Sequence, residues 1–283
     1  MKIIKKNILK KFYKKKDLKV HKGMFGKLVV IGGSEKYSGS PNLNALGAIA
    51  ALKSGVDTVE IIAPLRAANI IASYSPNLIT IPLKGNNLEP KHLKTILKES
   101  NDKSAFVIGG GILQTKNSIK LIINFLKSIN ISGVIDAGAI LPIKMYKTNL
   151  ENFVFTPHAK EFERLASVKL SNNLNEKIKQ IEKITKKYNT TILLKGYIDI
   201  ISDGKKTAIV KGGTAYMTKA GTGDVLAGIL GALIAQKPDK ENIFDAACAA
   251  SYINKKAGEM SKKKSSLLAT DLIEKIGEVV DNF

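Results

Sequence analysis

The 283-residue sequence contains a single cysteine, Cys248, and no tryptophan. One thiol excludes a disulfide framework within the chain and a metal site built on cysteines, and it suits a reducing compartment. No apolar run reaches the roughly 18 residues that a membrane-spanning helix needs, and the lysine-rich start lacks the apolar segment of a secretory leader. We therefore expect a cytoplasmic protein without a membrane partner.

Arginine is also scarce, although the formal net charge is +21. Arg66 and Arg164 are the only two arginines, so lysine carries nearly all the positive charge. Proteins that read bases rely on bidentate arginine, and proteins that bind single strands rely on stacked aromatic rings. A lysine-rich nucleic-acid-binding protein remains a rival hypothesis. We expect instead a solvated lysine surface that attracts anionic substrates, with no nucleic-acid partner.

The first 20 residues hold nine lysines against one acid, Asp17. Apolar side chains recur among these lysines at helical spacing, at Ile3, Ile4, Ile8, Leu9 and Phe12. The pattern predicts a surface helix or a partly ordered arm over residues 1–20. We see no linker and no internal repeat after it, and we expect residues 21–283 to form a single domain.

Short apolar runs alternate with helical segments along this domain, which predicts an α/β fold with a mostly parallel sheet and helices on both faces. Predicted strands cover 27–31, 58–62, 78–81, 105–108, 134–136, a run ending within 153–158, and 191–194. Helices are predicted at 41–53, 65–74, 91–99, 116–128, 173–188, 243–256 and 268–280. Asp203-Gly204 joins 199–202 and 207–211 into a predicted antiparallel hairpin.

Glycines and polar side chains follow the ends of these strands. In open parallel sheets, ligands bind at the carboxyl ends of the strands. Lys195 is either a surface lysine or a charge that neutralises phosphate, and His158 is either a strand-end residue or a donor to a ligand. Asp136 either bonds the turn that follows it or belongs to the site. Neither the dinucleotide-binding nor the P-loop glycine motif occurs.

The turn Gly221-Thr222-Gly223-Asp224 runs straight into an apolar helix. The free backbone N–H groups at a helix N-terminus attract anions, so Gly221, Thr222 and Gly223 form a candidate anion hole. Asp224 would repel a phosphate there, unless it takes a proton from the group that attacks the phosphate. The alternative is that Asp224 merely caps the helix. The residues alone thus predict an α/β enzyme that handles phosphate, with Asp224 as its base.

Several motifs together resemble one family. The run from Gly221 to Gly228 is similar to the catalytic turn of ribokinase-fold enzymes. Five further stretches narrow the resemblance to the ADP-dependent NAD(P)H-hydrate dehydratase family, and it extends from about His21 to the C-terminus. They are His21 through Ser34, Tyr37 through Pro41, Asp136 through Ala139, and Thr156-Pro157-His158 with Glu161-Phe162, joined by Leu194-Lys195-Gly196.

This resemblance implies a ribokinase-like three-layer sandwich that repairs hydrated NADH and NADPH. ADP, or ATP as in animal members, would phosphorylate the hydroxyl of the S-form of the hydrate. Elimination of phosphate would then restore the ring, with AMP as the other product. Mg²⁺ is the expected cofactor, and no carboxylate cluster in the sequence nominates its protein ligands. The alternative is a ribokinase-like kinase of a small alcohol such as hydroxyethylthiazole.

The resemblance also assigns site residues. It implies ADP contacts at Lys195, Gly196, Tyr197, Ile198, Asp199 and Gly223, and substrate contacts at Pro41, Gly111, His158 and Asp224. Two positions depart from the family pattern. Lys160 replaces the usual glycine before the acid of the Thr-Pro-His motif, and Asp199 stands where threonine is common and adds negative charge near the nucleotide. By analogy with relatives we expect a homo-oligomer, and a separate NAD(P)H-hydrate epimerase as the pathway partner.

Overall fold

The computed structural model describes residues 1–14, 17–36, 41–145 and 149–282, with the side chains of Pro41 and Lys240 left out. Tyr37 through Ser40, which contribute to the family resemblance, therefore lie outside the described residues. Pro41 begins a helix, but its predicted contact with substrate also lies outside the description, because that contact depends on its side chain.

One ten-stranded sheet runs through the molecule. Its strands are β1 (Lys2–Ile3), β2 (Lys27–Ile31), β3 (Thr58–Pro64), β4 (Ile79–Leu83), β5 (Ala105–Ile108), β6 (Ser132–Ile135), β7 (Phe153–Phe155), β8 (Thr191–Leu194), β9 (Asp199–Ser202) and β10 (Thr207–Val210). They lie in the order β1-β10-β9-β8-β7-β6-β5-β2-β3-β4. Every neighbouring pair is parallel except those that include β9, which runs opposite to β8 and β10. The predicted hairpin is thus confirmed as β9–β10.

Helices cover both faces of this sheet, as predicted. They are α1 (Pro41–Lys53), α2 (Leu65–Ala72), α3 (Leu93–Ser100), α4 (Lys116–Ser128), α5 (Ala159–Ala166), α6 (Leu174–Tyr188), α7 (Thr222–Gln236), α8 (Ile243–Met260) and α9 (Ala269–Asp281). Successive residues of a strand point to opposite faces of the sheet. Val30 therefore belongs to the core that α1, α7, α8 and α9 cover, whereas Ile31 belongs to the core that α3 to α6 cover. The result is a three-layer sandwich.

Helix α7 is the innermost helix of one layer. Its residues from Val225 to Ala235 are all buried, because α1 and α8 pack against it while it also lies on the sheet. A Cβ added to Gly228 would lie 1.9 Å from the carbonyl oxygen of Gly47 on α1, so only glycine fits this crossing. Close packing of this kind fixes the start of α7, where Asp224 lies, relative to the sheet.

The N-terminal segment is more deeply packed than the surface helix or arm predicted from its lysines. β1 pairs with β10, and a 3₁₀ helix follows over Lys6–Lys11. Ile8 and Leu9 are buried against α8, and Lys11 forms an ion pair with Asp245 of that helix. The prediction was wrong because the apolar stripe has a partner that is remote in sequence, while the lysines keep their charges in water.

The remaining differences concern the ends of elements. α2 ends at Ala72 instead of residue 74, and a short 3₁₀ turn over Pro90–His92 precedes α3, which was predicted to begin at residue 91. Such shifts of one or two residues are usual at fraying helix ends. Among the described residues, no helix combines the length and the apolar character needed to cross a bilayer.

Candidate active site

A cavity of about 650 Å³ opens at the carboxyl edge of the sheet, beside the start of α7. The loop after β8, the loop after β10 and the first turn of α7 form most of its wall. The predicted residues that line it are His158, Lys195, Gly196, Tyr197, Asp199, Gly221, Thr222 and Gly223. Ile198 does not line it and packs instead against the core beneath the sheet. A pocket of this size accommodates a small organic ligand.

The candidate anion hole is the first turn of α7. Gly221 is the N-cap residue, with a φ of 92° that favours glycine. The hydroxyl of Thr222 donates to the carbonyl oxygens of Met217 (2.8 Å) and Lys219 (2.9 Å). The Thr222 N–H also donates to the Lys219 carbonyl, at 3.4 Å, so Thr222 holds the preceding loop through its side chain and its backbone. A Cβ on Gly223 would lie 3.3 Å from Lys195 Nζ, which places that ammonium beside the turn.

Lys195 is held in place by Asp136. Its Nζ donates to Asp136 Oδ1 at 2.9 Å, and the Thr156 hydroxyl donates to the same oxygen at 2.6 Å. Burial by itself lowers the pKa of Lys195, but the carboxylates of Asp136, Glu161 and Asp224 outweigh burial and raise it. Lys195 is therefore not a free surface lysine, and Asp136 does more than bond its own turn: it orients a fixed positive charge.

Asp224 lies on the third residue of α7, so Gly221 and not Asp224 is the N-cap. Burial, reinforced by the negative charge of Asp136, raises the pKa of Asp224 to about 7, and Lys195 opposes the rise. A carboxyl group that titrates near neutral pH is suited to accept a proton from a hydroxyl and later release it. Its position beside an anion-binding turn therefore supports the function of a base.

The loop after β5 approaches Asp224 through Gly110. A Cβ at Gly110 would lie 3.1 Å from Asp224 Oδ1 and 2.4 Å from Asn44 Oδ1, so the loop can approach this closely only without a side chain. Asn44 Nδ2 donates to the Gly110 carbonyl at 3.2 Å and anchors it. Gly111, the predicted substrate residue, follows directly with a φ of 65°. A second cleft of about 320 Å³, lined partly by Gly138 and Glu161, lies on this side.

His158 caps a helix and lines the cavity. It is the N-cap of α5, where its Nδ1 accepts from the Glu161 N–H at 3.3 Å and Glu161 Oε2 accepts from the His158 N–H at 2.9 Å. A neutral ring whose Nδ1 accepts carries its proton on Nε2. About half of the side chain is exposed, and it lines the cavity, with Nε2 3.5 Å from Glu161 Oε1.

Asp199 does not add an uncompensated charge near the cavity, contrary to the expectation from sequence. Its carboxylate accepts from Ser251 Oγ (2.7 Å) and from the Gly196 N–H (2.9 Å), and it lies 3.4 Å from Lys255 Nζ. Lys255 also donates to the carbonyl oxygens of Gly196, Tyr197 and Gly212. This buried lysine on α8 thus neutralises Asp199 and ties together the two loops that form the cavity.

Sequence reasoning missed Lys255 and Ser251, and also Asn44 on α1. The available signal was a lysine inside the otherwise small and apolar helix predicted over 243–256, since a buried lysine needs a partner. Among the described residues, no group of three or more histidine, cysteine or carboxylate side chains forms a metal site. This part of the chain therefore does not supply a cluster of ligands for Mg²⁺.

Comparison with known families decides the relationship. The family described as NAD(P)H-hydrate dehydratase matches residues 28–278. The chain belongs to the NAD(P)H-hydrate dehydratase family. It is 37% identical over 282 residues to a protein of Nitrosopumilus maritimus named ADP-dependent (S)-NAD(P)H-hydrate dehydratase, covering 98% of this chain and 96% of that protein. It is also 37% identical to the bifunctional NAD(P)H-hydrate repair enzyme Nnr of Hyperthermus butylicus, with 93% of this chain matched to 50% of that longer protein.

Solved structures show that this member of the NAD(P)H-hydrate dehydratase family has the predicted ribokinase-like fold. A ribokinase-like superfamily protein of Enterococcus faecalis superposes with a TM-score of 0.84 at 22% identity, covering 99% of this chain and 95% of that one. The ADP/ATP-dependent NAD(P)H-hydrate dehydratase of Bacillus subtilis, co-crystallised with ATP and Mg²⁺, superposes with a TM-score of 0.81 at 21% identity, covering 99% and 98%.

Proposed function

We propose that the protein catalyses the ADP-dependent dehydration of the S-form of hydrated NADH or NADPH, and so restores the reduced nucleotide with release of AMP and phosphate. The observation that carries the proposal is Asp224, whose pKa is raised to about 7 at the start of the glycine-flanked helix α7. The names of the Nitrosopumilus and Bacillus relatives describe this activity, and the family membership supports its transfer to this chain.

Asp224 acts as the general base of the proposed reaction. Its carboxylate accepts the proton of the hydroxyl on the hydrated ring, and that oxygen then attacks the terminal phosphorus of ADP, with AMP as leaving group. Hydroxide leaves poorly from carbon at neutral pH, whereas phosphate leaves readily. Loss of phosphate and of one ring proton restores the double bond, so one water is removed and one phosphoanhydride bond is consumed.

Charge on the transferring phosphoryl group is balanced by fixed donors. Lys195 Nζ lies beside Gly223, whose backbone N–H is among those that a helix leaves without an intrahelical partner. Asp136 holds the ammonium through a 2.9 Å bond, so little reorganisation is needed when charge develops. We assign ADP to the cavity along Lys195, Gly196, Tyr197, Asp199 and Gly223, with Ile198 supporting that loop from the core.

The hydrate lies beside Asp224 in this proposal, next to the close approach at Gly110. Gly111 follows Gly110 there, and His158, which lines the cavity, and Pro41 at the start of α1 are the other contacts predicted from the family resemblance. Mg²⁺ would enter with the nucleotide oxygens, since the described residues form no carboxylate cluster for it. The Bacillus structure obtained with ATP and Mg²⁺ supports this class of nucleotide and leaves ATP as an alternative donor.

The pathway partner, the cellular location and the assembly of the protein are also part of the proposal. A separate NAD(P)H-hydrate epimerase would supply the S-form, and the relatives named bifunctional repair enzymes support such a pairing, since this chain matches only about half of their length. We also propose that residues 21–283 act as one dehydratase domain, that the protein works in the cytoplasm and that it assembles as a homo-oligomer.

The test is direct. Purified protein is mixed with hydrated NADH, MgCl₂ and either ADP or ATP, and the return of the absorbance of reduced nicotinamide is followed. We expect recovery that requires the nucleotide and yields AMP from ADP. Absence of recovery, together with phosphorylation of hydroxyethylthiazole or another small alcohol, would instead establish the kinase alternative.

A further inference from the structure

The cavity also extends along residues outside the phosphate-binding turn. The loop after β10 and the middle of α8 form its wall there, through Gly212, Gly213, Thr214, Met217 and Asn254. Met217 packs on Gly258 of α8, and Lys255 bonds the Gly212 carbonyl, so this wall is rigidly built. If the phosphates of a nucleotide occupy the start of α7, its base extends toward this part of the cavity.

Two buried polar atoms in this wall lack partners. Asn254 is only 6% exposed, and its Oδ1 has no hydrogen-bond partner within the described part of the chain. The Thr214 hydroxyl oxygen is also buried and likewise unpaired among those residues. A buried polar atom without a partner costs folding free energy, and both of these residues line the same cavity. Their placement indicates partners supplied by a ligand.

The neighbours of Asn254 on α8 make the contrast clear. Ser251 donates to Asp199, and Lys255 donates to three carbonyl oxygens, so their polar groups are satisfied within the protein. Asn254 lies between these two residues on the same buried helix. An amide with no structural function would be expected to bond a neighbouring backbone group or to be replaced by an apolar residue.

An asparagine amide offers one acceptor and two donors side by side. The edge of adenine presents its amino group as a donor next to a ring nitrogen as an acceptor, which an amide matches with two bonds. Guanine presents an acceptor oxygen at the same position and two adjacent N–H donors beyond it. We propose that Asn254 binds the edge of the nucleotide base and selects adenine over guanine, with the Thr214 hydroxyl as a second contact.

This inference rests on the proposed function for the location of the phosphates, but it is tested by binding alone. Calorimetry compares ADP with the diphosphate of purine riboside, which lacks only the amino group, on the wild-type protein and on Asn254→Leu. We expect wild type to bind ADP about tenfold or more tightly than the analogue, the scale of a good amide–adenine pair. In Asn254→Leu this preference should disappear, which isolates the pair as a double-mutant cycle.

Asn254→Asp tests the direction of selection. A carboxylate only accepts, so it loses one bond to adenine and matches the two adjacent donors of guanine. We expect the ratio of ADP to GDP affinity to fall about tenfold or more. Asn87→Asp is the matched control, because the Oδ1 of Asn87 is also buried and unpaired among the described residues but lies outside the cavity. This control should leave the ratio unchanged. Thermal melts confirm that each variant is folded.

An unchanged preference for ADP over the amine-free analogue in Asn254→Leu would overturn the inference, and so would equal binding of the two ligands by wild type. Should Asn254→Asp fail to fold, the wild-type comparison and Asn254→Leu still decide. Tight, amine-dependent ADP binding without dehydration of the hydrate would leave the inference standing while the proposed function fails. Dehydration of the hydrate, together with ADP binding that does not depend on the amino group, would overturn the inference and leave the proposed function standing.

Discussion

Two carboxylates of the candidate site, the buried Asp199 in the cavity wall and the partly buried Asp224 in the first turn of α7, differ in how far their charge is compensated. Asp199 receives donors from Ser251 and Gly196 and has Lys255 at 3.4 Å. Asp224, in contrast, has Asp136 near it, and Lys195, the nearby cation, is bonded to Asp136 instead. Asp199 is thus paired in the way that a structural group is paired, whereas the pKa of Asp224 lies near neutrality.

This difference indicates which acid does chemistry. Burial raises the pKa of Asp199 as well, but Lys255, Ser251 and the Gly196 N–H oppose that rise and hold the carboxylate in place, so Asp199 fixes the shape of the nucleotide loop. A carboxylate that is buried beside another negative charge exchanges a proton readily at neutral pH. The bond between Asp136 and Lys195 has two consequences. It positions a cation for phosphate, and it keeps that cation from fully neutralising Asp224.

The largest expected effect comes from removing the reactive carboxylate. Asp224→Asn should lower turnover in the hydrate assay by about a hundredfold to ten-thousandfold, the range of general-base catalysis. ADP affinity should be at least that of wild type, since the amide removes a negative charge beside the phosphate site. Asp239→Asn, at an exposed position, is the control. Wild-type turnover in Asp224→Asn would return this residue to a structural function.

Breaking the compensated pair should affect stability more than chemistry. Lys255→Met leaves Asp199 buried without its cation and frees three carbonyl oxygens, which should cost about 3–5 kcal/mol in the free energy of unfolding. Denaturant unfolding measures this loss, and Lys256→Met, its more exposed neighbour, should cost less than about 1 kcal/mol. Adding Asp199→Asn to Lys255→Met should recover part of the loss. Equal stability of the two lysine variants would refute the structural function of Lys255.

The pH dependence of stability tests the raised pKa of Asp224. The folded pKa of Asp224, about 7, lies above its ordinary value, so the folded state holds the extra proton between roughly pH 4 and pH 7. Its contribution to stability is therefore lost as pH rises through that window. Relative to Asp224→Asn, wild type should lose about 3–4 kcal/mol between these limits, measured by chemical unfolding at each pH. A constant difference across the window would contradict the raised pKa.

Much of the fold was predictable because its signals are local. Alternating β-branched runs and helical segments gave the parallel sheet, and Asp203-Gly204 gave the hairpin. The N-terminal segment was misjudged because its burial depends on the surface of α8, more than 200 residues later. The lysines of that segment can be seen in its own sequence, whereas the helix that buries Leu9 is remote in sequence.

The candidate site was predictable only where it follows strand ends or the turn before α7. Lys195, His158 and Asp224 occupy such positions, and the structure gathers them at one edge, although their functions remain predictions. Lys255 and Asn254 were missed because they lie inside a helix whose small apolar residues predict only burial. The loops that their polar groups face precede them by about 40 to 60 residues. No pattern within the helix itself indicates those loops.

The most direct test of the central claim is the pH dependence of kcat/KM for wild type and for Asp136→Asn. The structure predicts an acidic limb with an apparent pKa near 7 in wild type, set by Asp224. Removing the charge of Asp136 should move this limb to lower pH, because it relieves repulsion and frees Lys195 to face Asp224. A wild-type limb near the ordinary carboxyl value of about 4, unmoved in Asp136→Asn, would contradict the account.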